Sequence, residues 1–266
     1  MKIAIIGTGN LGKSIAKGLI TNNAITSLYL TKRNLDGIAD FDGYKNVYLT
    51  SNNSEAIKNS DILLFAVQPA HFEGILDQIK PILTGKHVII STITGFSISK
   101  IEAIIGANNF IIRAMPNTAI AVGKSMTCLC ANLQGQERIG IAEAIFNRLG
   151  HSMTIPEAQM QAATVVCASG IAFWMRLIRA ATQAAIQLGF DAKEAQELAM
   201  YTSEGAARLL LTNGKHPEEE IDSVTTPKGC TIEGLNEMEH QGLSAALIQG
   251  MVASFHKINS IKKEQL

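Results

Sequence analysis

The run Gly7-Thr8-Gly9-Asn10-Leu11-Gly12 follows a short apolar stretch and opens a helical pattern. Glycines at this spacing suit the grip of a pyrophosphate. Gly7 permits a tight turn, Gly9 lets the main chain approach phosphate oxygens, and Gly12 lets helix and strand pack closely. The N–H groups and dipole of the helix start then face the anion. A glycine-rich turn without a ligand is the plain alternative. Further on, the second strand ends in Leu30-Thr31-Lys32-Arg33-Asn34, and no acid lies between Gly12 and Asp36. An acid there would hold the ribose 2′-hydroxyl of NAD. A hydroxyl at Thr31 beside the cations of Lys32 and Arg33 suits a 2′-phosphate instead, so NADPH is expected, with NADH a weaker substitute. An exposed turn carrying ordinary surface charge is the alternative.

These residues need a scaffold, and the first half of the chain supplies its pattern. Short apolar strands at Lys2–Ile6, Leu28–Thr31, Asp61–Val67, His87–Ser91, Phe110–Ala114 and Ser125–Ala131 alternate with amphipathic helices such as Leu11–Asn22 and Gln136–Leu149, the latter stopped by Gly150. That alternation builds a parallel sheet covered on both faces. After Pro156 strands give way to helical periodicity over 157–168, 171–188, 192–211 and 243–261. The predicted fold is α/β: a Rossmann-type parallel-sheet dinucleotide-binding domain over 1–155, then an all-α domain over 156–266. The helices are apolar on more than one face, and such helices must be covered. A second copy of the chain is the expected cover, giving a homodimer through the C-terminal helices or a larger assembly of such dimers; packing on the first lobe alone is the alternative.

Composition removes several classes of partner. Of 266 residues 47% are hydrophobic, and 23 basic residues balance 23 acidic ones. A balanced charge offers no grip on nucleic acid or anionic lipid. No unbroken run of ~18 apolar residues is present, so no membrane partner is expected. The four cysteines (Cys128, Cys130, Cys167, Cys230) lack metal-site or Cys-x-x-Cys spacing. Without an export signal they suggest free thiols in a reducing, cytoplasmic setting. The six histidines show no ligand spacing, so no metal is expected. Trp174 fits an apolar helix stripe and is expected in the core. Cys128 and Cys130 alternate along a strand and suit buried small hydrophobes better than a redox pair.

Taken together the motifs resemble those of the pyrroline-5-carboxylate reductases, over nearly the whole chain. Besides the glycine loop, Asn53-Ser-Glu-Ala56 resembles the family's Asn-x-Glu turn and Ala66-Val-Gln-Pro69 its Ala-Val-Lys-Pro. Ser91-Thr-Ile-Thr-Gly95, Arg113-Ala-Met-Pro-Asn-Thr118 and Ala168-Ser-Gly-Ile-Ala-Phe173 match further segments. The most specific is Val224-Thr-Thr-Pro-Lys-Gly-Cys-Thr-Ile-Glu-Gly-Leu235, similar to Val-Thr-Ser-Pro-Gly-Gly-Thr-Thr-Ile-x-x-Leu. The chain departs from the pattern at Gln68 (lysine), Ile171 (proline), Phe173 (tyrosine), Lys228 (glycine) and Cys230 (threonine or alanine).

The resemblance implies NADPH-dependent reduction of 1-pyrroline-5-carboxylate to L-proline, the last step of proline biosynthesis, on a small cyclic imine. It places Val67, Gln68 and Thr94 beside the nicotinamide and ribose, and Asn53 at the adenosine end. Thr231 becomes the candidate for orienting the imine nitrogen, with an N-terminal helix cap as its plain alternative. The N–H groups of Gly229, Cys230 and Thr231, free at a helix start, would hold the substrate carboxylate. A related imine or keto-acid reductase, or an NADPH-binding protein without turnover, are the competing readings.

Overall fold

The computed structural model describes residues 1–23 and 25–264. Eight strands form one sheet: β1 (Lys2–Ile6), β2 (Ser27–Thr31), β3 (Val47–Thr50), β4 (Ile62–Phe65), β5 (Val88–Ser91), β6 (Phe110–Met115), β7 (Ser125–Ala131) and β8 (Gly150–Thr154). Their order is β3-β2-β1-β4-β5-β6-β7-β8, and every neighbouring pair is parallel except β6–β7. The order reverses between β1 and β4, so the chain leaves these adjacent strands toward opposite sides. A crevice opens where two such connections diverge, and ligands of open α/β sheets bind there.

The helices of this half are α1 (Asn10–Thr21), α2 (Asn53–Lys58), α3 (Pro69–Ile79), α4 (Ile98–Ile105), α5 (Leu133–Gln136), α6 (Ile139–Phe146) and α7 (Met160–Ala163). Along α1 the buried residues Gly12, Ile15, Ala16 and Leu19 recur three or four apart, so one stripe meets the sheet. Alternate residues of each strand feed opposite cores. Ile3, Ile5, Leu64 and Ile90 pack with Ile15, Leu19 and Phe146, whereas Ala4, Ile6, Leu63 and Phe65 pack with Phe72, Leu76 and Ile101.

Several local expectations change. β3 and β8 are edge strands absent from the sequence reading; β8 is short, polar and mostly exposed, and so carries no apolar alternation. Gly150 starts β8 instead of ending a helix: its φ is +148°, and a Cβ there would overlap the Ser125 backbone. The helix expected over 136–149 divides into α5 and α6 at Glu137 and Arg138.

Beyond residue 163 come a π-helical turn, Thr164–Ser169, and α8 (Gly170–Gln187), α9 (Ala192–Asn213), α10 (Pro217–Val224), α11 (Cys230–His240) and α12 (Leu243–Glu264). The chain divides into two compact units, residues 1–169 with the stretch from Ile258 onward, and Gly170–Lys257. Within the second unit α8 packs on α9. Asp191 caps α9 by accepting from the N–H groups of Lys193 and Glu194 at 2.8 and 3.0 Å. Only Gly170 and Thr182 of α8 are buried. Trp174, expected in the core, is 56% exposed, because no other described element of the chain covers its stripe.

One helix has more bilayer-like character than the lack of an unbroken apolar run suggests. Glu157–Gln187 forms 31 continuous helical residues, and an 18-residue window within it reaches a mean hydropathy of 1.4 with 17% of it buried. Scattered Gln, Thr and Ser residues break the apolar run without lowering the average enough. By length and composition alone this helix could cross a membrane. The same character suits a helix covered by another protein surface.

Candidate active site

The glycine loop sits at the carboxyl end of β1, beside the end of β4. Gly7 has a φ of +92°, and a Cβ on it would overlap the Val67 side chain and lie 3.0 Å from the Ala66 carbonyl oxygen. A Cβ on Gly12 would lie 2.6 Å from the Gly7 carbonyl oxygen, so this glycine lets α1 close on the loop. Around Gly9 there is open space, on the side a ligand would approach. The loop is pinned from β2: the Gly7 N–H donates to Thr31 Oγ1 at 3.2 Å and the Thr8 N–H to the Thr31 carbonyl at 2.9 Å. Among the described residues no acceptor meets the N–H groups of Asn10, Leu11 or Gly12, the first turn of α1. Thr8 is fully buried, yet its hydroxyl has no hydrogen-bond partner. An orphaned buried hydroxyl is costly unless a ligand completes it. These residues fit a dinucleotide pyrophosphate.

A crevice of about 840 Å³ brings together Gly7, Thr8, Gly9, Thr31, Lys32, Arg33, Asn53, Val67 and Gln68. That volume suits a cofactor-sized ligand. Asn10, Leu11 and Gly12 form the helix start behind its wall. Thr94 lies instead in an adjoining hollow of about 500 Å³ with Glu73, Phe96 and Lys100; Pro69 and Ala70 border it too, and Ala70 also lines the first crevice. Asn53 is the first residue of α2, whose start is capped by Asn52. Gln68 is the exposed residue preceding α3.

The two cations after β2 have different surroundings. The Lys32 Nζ donates to the Gly37 carbonyl at 3.3 Å, and its chain lies so close over Gly37 that a Cβ there would collide with it. Arg33 is exposed, with Nη2 3.5 Å from His71 Nε2. Thr31 is buried, and its hydroxyl is already an acceptor for the loop. The basic wall therefore consists of Arg33 and His71 with Lys32 at its side. Sequence reasoning passed over His71, Asn34, Ser51 and Gln78, which also line the crevice. His71 lies one helical step beyond Gln68, the one signal that could have found it.

The expected substrate segment lies in the second unit. Gly229 precedes α11 in extended conformation without a side-chain cap, and Cys230 and Thr231 form the helix's exposed first turn. The Cys230 and Thr231 N–H groups have no acceptor among the described residues, whereas the Gly229 N–H donates to the Thr226 carbonyl at 2.9 Å. Lys228 has a φ of +59°. Glycine takes that left-handed conformation without penalty, which accounts for a glycine at this position in the motif it resembles.

Comparison with known proteins places these features in context. The family described as pyrroline-5-carboxylate reductase dimerisation matches residues 157–261, and that described as NADP oxidoreductase, coenzyme F420-dependent, matches residues 2–95. Pyrroline-5-carboxylate reductase 1 of Dictyostelium discoideum is 44% identical over 97% of this chain, which spans 49% of that relative's length. Pyrroline-5-carboxylate reductase 2 of the same organism is 42% identical, with 96% of this chain and 91% of the relative covered. Among solved structures, a pyrroline-5-carboxylate reductase from Coxiella burnetii superposes with a TM-score of 0.91 at 29% identity, covering 97% of each chain.

Proposed function

This chain belongs to the pyrroline-5-carboxylate reductase family, and we propose that it reduces 1-pyrroline-5-carboxylate to L-proline with NADPH, closing proline biosynthesis. The observation that carries this reading is the crevice at the β1/β4 reversal, with its glycine loop, its orphaned Thr8 hydroxyl and a wall that bears cations and no acid. NADPH when bound supplies the hydride. The chain's own residues do the rest. The N–H groups of Asn10, Leu11 and Gly12, with the Thr8 hydroxyl, hold the pyrophosphate. Arg33 and His71, assisted by Lys32, hold the 2′-phosphate, while Asn53 borders the adenosine. Val67, Gln68 and Thr94 form the side toward the reacting ring.

The first turn of α11 takes the substrate. The N–H groups of Cys230 and Thr231 receive the carboxylate, aided by the helix dipole, while Gly229 leaves room for Thr226, whose Oγ1 a Cβ there would overlap. The Thr231 hydroxyl hydrogen-bonds the imine nitrogen, orients the ring and relays a proton without ionising. Fixing the two reacting carbons ~3–3.5 Å apart accounts for much of the rate acceleration such a site can give. Residues 1–155 form the cofactor half and 156–266 the helical half. The bare faces of α8 and α9 pair with a second copy, so the working species is a cytoplasmic homodimer or an assembly of dimers. Obligate interfaces are built from large apolar contacts.

One assay tests the reading: NADPH oxidation by purified protein given pyrroline-5-carboxylate, with proline measured as product. Activity only on other imines or keto acids would move the substrate assignment, and binding without oxidation would leave a nucleotide-binding protein. Thr231→Ala lowers kcat more than it weakens NADPH affinity; an unchanged kcat removes Thr231 from the chemistry.

A further inference from the structure

The fold joins two thiols that lie 39 positions apart in the sequence. Cys128 on β7 and Cys167 in the π-helical turn Thr164–Ser169 place their sulfurs 3.9 Å apart, within one compact unit. Cys128 is buried, whereas Cys167 is only partly buried. The pair considered along the strand, Cys128 and Cys130, is thus not the one whose sulfurs meet. A hydrogen bond from the Cys128 thiol draws Cys167 down to about 7, against the opposing effect of burial. The same bond, with burial, pushes Cys128 upward. Cys167 is therefore the nucleophile and Cys128 the reserve thiol. The π turn adds compliance, since it lacks the regular ladder of an α-helix.

We propose that Cys128 and Cys167 form a redox-active dithiol that reacts with a hydroperoxide and closes to a reversible disulfide. The Cys167 thiolate attacks a peroxide oxygen, the O–O bond breaks, and hydroxide leaves to be protonated to water. Cys167 is then a sulfenic acid. The Cys128 sulfur attacks that sulfur, the S–S bond forms, and the hydroxyl departs with the Cys128 proton as a second water. Two thiols and one hydrogen peroxide give one disulfide and two waters, so two electrons pass from sulfur to peroxide. Closure from 3.9 Å to the ~2.05 Å of a disulfide asks for roughly 2 Å of movement, within reach of a side-chain rotation and a small shift of the π turn. The shift reaches the Arg113–Thr118 segment, because Asn117 Nδ2 donates to the Cys167 carbonyl at 3.1 Å.

The test uses the full, reduced chain exposed to a small excess of hydrogen peroxide at neutral pH. Intact mass falls by two hydrogens, peptide mapping joins Cys128 to Cys167 within one chain, and dithiothreitol restores both thiols. Cys130→Ala keeps the link. Cys128→Ala forms no link, and Cys167, having lost the hydrogen bond that lowers its pKa, reacts more slowly with peroxide and stops at a sulfenic acid that dimedone traps; Cys167→Ala leaves Cys128 unreacted. As a check free of substitutions, alkylation of Cys167 in the native protein has its midpoint near pH 7. A link that forms only after unfolding, a link between chains, oxidation confined to Cys130 or Cys230, or an alkylation midpoint in the ordinary thiol range would each overturn the proposal.

Discussion

Replacing Arg33 by alanine separates a 2′-phosphate site from a merely basic turn. Arg33 is exposed on the crevice wall, and the charged or titratable side chains lining that crevice are Lys32, Arg33 and His71. At about 4 Å a pair of unit charges in water is worth about 1 kcal/mol, and a phosphate carrying nearly two charges doubles it. Two kcal/mol is roughly a 30-fold change in affinity. The expected result for Arg33→Ala is a rise of about 30-fold in KM for NADPH at saturating imine, with little change in kcat and little change in KM for NADH. Lys32→Ala has a smaller effect, since its ammonium is held 3.3 Å from the Gly37 carbonyl. At about 1 M salt, where the screening length is ~3 Å, the gap between wild type and variant narrows. Steady-state rates with both nucleotides at two salt concentrations decide the matter. An equal loss with NADH, or a larger effect from Lys32 than from Arg33, refutes the assignment of the 2′-phosphate to Arg33.

Two further outcomes concern stability. Lys228→Gly raises the unfolding free energy by about 0.5 kcal/mol, read as a higher urea midpoint, because relief of left-handed strain slightly outweighs the added freedom of the unfolded chain; Lys228→Val lowers that midpoint, and equal midpoints for the two variants would refute the strain. His87 is buried, its Nδ1 accepts from the Thr84 N–H at 3.0 Å, and burial holds its pKa below the usual histidine range. The unfolded chain therefore binds this proton more readily than the folded one, so stability falls as pH drops below about 6.5. His87→Gln flattens that fall in denaturant titrations between roughly pH 5 and 7; an unchanged slope refutes the link.

What could be read from the sequence was what neighbouring residues decide together. The glycine loop was legible because Gly7, Gly9 and Gly12 answer to a local turn and its helix, and the buried strands Ile3–Ile6 and Ile62–Phe65 are continuously apolar. The reversed β7 and the edge strands β3 and β8 were not, since pairing direction and edge position depend on residues far along the chain. Which cation faces the crevice was equally hidden: Lys32 and Arg33 are adjacent, and only the return of the chain at Gly37 separates their surroundings. His71 and Cys167 gain their partners across 38 and 39 positions, distances that no motif spans. The apolar pattern of α8 was plain, but a pattern says that a face wants cover without saying what provides it. Trp174 shows the difference.

In the proposed homodimer, the stripe of α8, with Trp174 and Met175 more than half exposed, would tie the helical unit to mass action. A surface that is satisfied only by another copy makes folding and association one equilibrium, so dilution weakens the unit even when temperature and solvent stay fixed. In such an assembly nascent chains would have to meet before that stripe is safe from other sticky surfaces. The rate at which they are made then decides how much of the protein survives to work.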